Sequence, residues 1–262
     1  MRYKVAEDAK PQLMLLLLAT AITIALWFIP YAEWLVYPIR LFVTFIHEAS
    51  HALVALLTGG SVHSLTVSAN GEGVVWSASS SWISALLTSS AGYLGTTFFG
   101  VLLLFSIRRA ISARVVLYAL GGFIGLITLV FGFLVPLFNI FGGQVTVASI
   151  AFTTFAGAAL TAAILAIARF GSVKMANFAV AFLAVQLVLN ALADLKTLFF
   201  LNAPFVGSNI QTDAMNMQNA TGLPAVAWIL IWIGISVVMI SVGLRFYAVN
   251  QRGKQNDLPF ED

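Results

Sequence analysis

Residues 41–57 read Leu41-Phe42-Val43-Thr44-Phe45-Ile46-His47-Glu48-Ala49-Ser50-His51-Ala52-Leu53-Val54-Ala55-Leu56-Leu57. Apart from Thr44, Ser50 and three ionisable side chains, every position is apolar, and the apolar character extends over about 36–58. A helix crossing a ~30 Å hydrocarbon core needs roughly 20 such residues, so this stretch is long enough to span a bilayer. Six further runs have the same character: 13–31, 82–107, 114–138, 145–169, 176–201 and 224–246. The first follows a charged segment, yet no small-x-small cleavage site follows Trp27-Phe28-Ile29-Pro30, so it reads as a retained helix. Hydrophobic residues make up 60% of the 262 and charged residues 9%, against ~45–50% and ~25% in soluble domains. A water-soluble globule of this size cannot hide that much apolar surface.

The expected fold is therefore an all-α, polytopic membrane protein of about seven transmembrane helices. One transmembrane domain, 13–246, lies between an N-terminal tail, 1–12, and a C-terminal tail, 247–262. The lipid bilayer is its first partner, and a net charge of +3 does not suggest nucleic acid. The absence of cysteine excludes disulfides, Cys-ligated zinc and thiol catalysis. Gly92, Thr96 and Gly100, and again Gly121 and Gly125, recur at four-residue spacing. Small side chains on one helix face let two helices approach closely in lipid, so these read as packing positions.

The ionisable residues of the opening stretch form His-Glu-x-x-His. Residues four apart on a helix are offset by ~40° and one turn of rise, so His47 and His51 offer two imidazoles to one ion. Glu48 is near enough to take a proton from water at that ion and pass it on. Zinc, one per chain, suits two nitrogens, a carboxylate oxygen and an open position. The chain has only three histidines, His63 being the third. Burying an unpaired charge at mid-bilayer costs at least ~2.5–3.5 kcal/mol, and a metal supplies the compensating reason.

The third ligand must come from elsewhere. Of the ten acidic residues, five lie in the tails, Glu48 has a role, Glu33 lies on the opposite side and Glu72 sits in an expected turn. Asp194 and Asp213 remain. Counting helical rise from the shared membrane face puts the histidines roughly 10–17 Å deep and Asp194 roughly 11 Å deep, which favours Asp194. Asn190, one turn earlier on the same face, would orient that carboxylate or donate to a developing oxyanion. Asp213 is the rival, its simpler reading being a helix-capping or loop carboxylate.

Directly after the zinc motif, residues 61–77 hold two β-prone runs, Val62-His63-Ser64-Leu65-Thr66-Val67 and Gly73-Val74-Val75-Trp76-Ser77, around Asn70-Gly71. That pattern predicts a short β-hairpin. Irregular backbone at membrane depth is tolerable beside protein or a water-filled cavity.

His47–His51 in one membrane helix with Asn190-Ala191-Leu192-Ala193-Asp194 in a later one resembles the site-2 protease (M50) family of intramembrane zinc metalloproteases. Ala52–Gly60, Ser90-Ala91-Gly92-Tyr93-Leu94-Gly95 and Thr212-Asp213-Ala214 with Thr221-Gly222-Leu223-Pro224 resemble its M50B-like branch. The resemblance implies an intramembrane zinc endopeptidase with a re-entrant hairpin beside the site. Its partner would be a membrane-protein substrate, cut in or near a transmembrane segment after local unwinding. The exposed strand edge would pair the substrate's freed backbone. Its expected site has His47, His51 and Asp194 on zinc, Glu48 as general base and acid, and Asn190 assisting. Well-studied members carry Asp-Gly at the third ligand, whereas Leu195 follows Asp194. A non-catalytic relative that binds membrane helices is the alternative, with an ion or proton transporter behind it.

Overall fold

A computed structural model of the chain describes residues 10–29, 33–109, 111–143, 145–202 and 211–248. Most of the expected tails, at 1–9 and 249–262, lies outside the described residues. The elements are α1 (Lys10–Phe28), α2 (Glu33–Leu57), β1 (Ser61–Val67), β2 (Gly73–Ala78), α3 (Trp82–Arg108), α4 (Ala113–Ile127), α5 (Val135–Phe138), α6 (Val147–Phe170), α7 (Val173–Leu201), α8 (Asp213–Thr221) and α9 (Ala225–Ala248). Among the described residues, six helical stretches are long and apolar enough to cross a membrane: Trp34–Leu57, Trp82–Arg108, Ala113–Phe138, Val147–Phe170, Val173–Leu201 and Ala225–Phe246. The chain is a multi-pass helical membrane protein with one small sheet, close to the seven helices expected. The first expected span is α1, whose apolar part, Met14–Ala25, is shorter than the other six.

Local chemistry explains the boundaries. Ser81, Ser172 and Thr212 each accept a backbone N–H in the first turn of α3, α7 and α8, and Thr146 with Ser149 forms a capping box on α6. Gly222, at φ 75°, ends α8, and Pro224 follows it. The span Ala113–Phe138 is not regular. Between α4 and α5 the backbone widens into a π-helical segment, Thr128–Leu134, just before Pro136, which lacks an N–H for the ladder.

Helix α3 is the centre of the packing, with α2, α7 and α9 against it. Phe42, Phe45, Ile46, Ala49 and Ala52 bury one face of α2, at the spacing that lines a helix stripe. Contact with α3 is close because a β-carbon at Gly95 would collide with Ser50, and one at Gly100 would meet Val188 and Leu187. Gly121 and Gly125 likewise face Leu165 and Thr161 of α6.

The hairpin is antiparallel, with Leu65 opposite Val75 and Val67 opposite Gly73. Its turn is closed by Ser68 N–H to the Glu72 carbonyl at 2.8 Å, and Gly71 takes φ 85°. Rather than standing beyond the end of α2, the hairpin runs back along it. Tyr37 donates to the Ala69 carbonyl, Arg40 to that of Asn70 and Thr44 to that of Gly71. The tip is thus pinned near the start of α2, while the strands begin just past its end.

The two sheet edges are treated differently. The bond from Ser68 to Glu72 sets the alternation of the ladder, which turns the amide and carbonyl of Val67 and of Val75 outward. On the β1 side, Thr153 of α6 accepts from the Val67 N–H at 2.8 Å and donates to its carbonyl at 3.2 Å. Asn139 donates to the His63 carbonyl on the same strand. The β1 edge is therefore closed by α6 and the segment after α5. The β2 edge faces α2 at the level of Glu48.

Candidate metal centre

His47 and His51 sit one turn apart on α2, and the structure closes the triangle with Asp213. His51 Nε2 lies 3.1 Å from His47 Nε2, and Asp213 Oδ2 lies 3.3 Å from His51 Nε2 and 3.6 Å from His47 Nε2. Bonds of about 2.0–2.1 Å at tetrahedral angles separate neighbouring zinc ligands by about 3.3–3.4 Å. The three edges thus match one face of a tetrahedral site.

Ring chemistry agrees. His51 Nδ1 lies 2.6 Å from the Thr88 carbonyl. A carbonyl only accepts, so Nδ1 carries a proton and the neutral ring keeps its lone pair on Nε2, the atom facing the cluster. Two imidazole nitrogens and a carboxylate oxygen converge in a set that could hold a cation. The space beside them is kept by Gly92 of α3, where a β-carbon would collide with Nε2 of both histidines. Gly92 therefore does more than let helices pack.

Asp213 is the first residue of α8, directly after the capping Thr212. A helix N-terminus favours a carboxylate there, and the helix is braced by Trp82 donating to the Ala220 carbonyl at 2.8 Å. Burial opposes the Asp213 charge, yet His51 and then His47, by charge and hydrogen bond, hold its carboxyl well below the usual carboxylate range.

Asp194, the favoured third ligand by depth, is not in the cluster. It is on an exposed part of α7, near enough to feel the charge of His47 and Arg40 without reaching the imidazoles. Helical rise measures depth but not the direction in which a side chain points. Asn190, expected to assist, has its amide engaged within its own helix: it donates to the Gln186 carbonyl at 2.8 Å and to Gln186 Oε1 at 3.2 Å. Gln186 in turn donates to Thr23, tying α7 to α1. His63 is exposed on β1, outside the cluster.

Glu48 is 6% exposed. Its carboxylate accepts a hydrogen bond from the Val75 backbone N–H on the outward edge of β2. The strand comes this close because residue 73 is glycine; a β-carbon there would lie 2.6 Å from Glu48 Oε1. The Tyr93 ring stands edge-on to His47, with centroids 4.7 Å apart, and stacks on Trp232 at 5.4 Å. Reading the chain for ionisable residues passed over Gly73, Gly92 and Tyr93. The signal for the latter two was the run Ser90–Gly95.

The cluster thus combines three donors that could hold a metal with a buried carboxylate and the outward edge of β2 beside it. No curated protein and no solved structure matches the chain. A family model described as Peptidase M50B-like matches residues 17–243, a range that takes in α2, the hairpin, α3 and α8, so the chain belongs to that membrane peptidase family.

Proposed function

We propose that the protein is an intramembrane zinc endopeptidase. The observation that carries this reading is the His47, His51 and Asp213 triangle with Glu48 buried beside it. These three residues would hold one zinc per chain. When bound, zinc supplies a Lewis acid that lowers the pKa of water and polarises a peptide carbonyl.

Glu48 takes the proton of the attacking water as its oxygen adds to the carbonyl carbon. It then gives that proton to the amine nitrogen as the C–N bond breaks. The Val75 N–H fixes the carboxylate for this work. Substrate would be the transmembrane or membrane-proximal segment of another membrane protein. A helix must unwind before its carbonyls can be attacked, and the outward groups of β2 other than the Val75 N–H would offer partners for the freed backbone. Closure of the β1 edge by Thr153 and Asn139 supports β2 as the pairing edge.

The test joins metal analysis to cleavage, using detergent-purified protein and a panel of single-span substrates. Wild type and Glu48→Gln should each carry about one zinc per chain, and His47→Ala should carry none. Cleavage by Glu48→Gln should fall by about 10²–10⁴-fold. A wild-type protein purified without chelator and found metal-free would sink the zinc assignment. Equal cleavage by Glu48→Gln would remove Glu48 as the base.

A further inference from the structure

Peptide hydrolysis builds negative charge on the carbonyl oxygen, and a preorganised donor aimed at that oxygen is among the largest contributions to rate. The donors near the cluster are few. Asn190 has spent its amide on Gln186. Thr88 gives its backbone carbonyl to His51 Nδ1, the ring atom away from the cluster, and its own hydroxyl is buried without a partner. The Ser90 hydroxyl accepts from Trp232 Nε1 at 3.1 Å and faces Met217 Sδ. Arg40 is bound to the hairpin tip.

Tyr93 differs from these in packing its ring directly against His47. It follows Gly92, the residue whose missing side chain opens space beside both imidazoles. Its ring is edge-to-face with that of His47 at 86° and stacks on that of Trp232 at 21°. Trp232 is itself 1% exposed and anchored by Ser90, so the phenol is held by both rings. Its hydroxyl lies within the field of Asp213, Asp194 and Glu48 together. Tyr93 is half-buried, and its hydroxyl has no hydrogen-bond partner among the described residues. A phenol fixed by packing, neutral at physiological pH and with its donor unused is what a developing oxyanion requires.

We propose that Tyr93 is a catalytic residue whose hydroxyl donates a hydrogen bond to the carbonyl oxygen of the scissile peptide, an inference that rests on the peptidase reading above. The O–H bond of Tyr93 stays intact throughout. Water adds to the carbonyl carbon, its proton passes through Glu48 to the leaving nitrogen, and the Tyr93 hydrogen bond strengthens as charge gathers on oxygen.

Tyr93→Phe tests this, because it removes one oxygen and leaves the ring between His47 and Trp232. Zinc content, kcat and KM on a single-span substrate would be measured on the full chain. So would the affinity of a peptide phosphinate, whose tetrahedral anion mimics the attacked carbonyl. Tyr93→Phe should keep about one zinc and a KM within about twofold of wild type, with kcat reduced about 10²–10³-fold. Phosphinate binding should weaken in parallel, since a contact made only in the transition state is felt by its analogue. Wild-type kcat and phosphinate affinity in the variant would overturn the proposal alone, leaving the peptidase reading intact. Loss of zinc would overturn it too, by making Tyr93 a structural support of the ligands. If zinc-loaded wild type cuts none of the substrates, the peptidase reading falls and this one with it.

Discussion

Two aspartates compete for the same histidines, and only one of them brings an oxygen to the imidazoles. Asp194 feels the charge of His47 from an exposed position on α7, whereas Asp213 brings Oδ2 to 3.3 Å from His51 Nε2. With zinc held as proposed, Asp213→Ala should lose the metal, because two imidazoles alone leave the site short of a ligand. Asp194→Ala should retain about one zinc per chain. Metal analysis of the two purified variants decides the matter, and the reverse pattern would remove Asp213 from the site. His47, Glu48 and His51 were legible because their spacing is local to one helix. Asp213 was harder to read because its segment looks like an aqueous loop, and its carboxylate has a sufficient local role beside the α8 cap.

At the level of elements, the hairpin was legible from its β-prone runs and Asn70-Gly71. Its course along α2 was not, since that depends on Tyr37, Arg40 and Thr44 reaching carbonyls about 30 residues away in sequence. The asymmetry of its edges was equally hidden, because Thr153 lies on α6, far from β1 in the chain. Thr153→Val keeps the shape of the side chain but leaves the Val67 amide and carbonyl without their buried partner. The expected loss is about 1–3 kcal/mol, read as a lower unfolding midpoint in detergent. An unchanged midpoint would mean that the β1 edge does not need Thr153. The π-helical segment had no sequence signal beyond Pro136; its widening is met by packing of Gly132 against Thr153 and the Leu65 carbonyl.

Across the whole molecule, the proposed metal would join α2 to α8, elements far apart in the chain and both packed on α3. Ligand binding to the folded state alone stabilises it by about 2.7 kcal/mol when the free ligand is a hundredfold above its Kd. Removing zinc with phenanthroline should therefore lower the thermal midpoint of wild type, and adding zinc back should restore it. His47→Ala should show the lower midpoint already and no response to either reagent. A chelator-insensitive midpoint in a protein proven to lose its metal would argue that α8 is held without the ion. The sequence by itself determined the membrane class, the approximate spans and the pairing of two histidines on one helix face, because hydropathy and helical period are properties of consecutive residues. Only the tertiary structure decided that Asp213 completes the cluster, that Gly92 leaves room beside it, and that β2 turns its outward edge to Glu48. Those outcomes depend on the angles at which α2, α3, α8 and the hairpin meet, and no stretch of consecutive residues encodes an angle between elements.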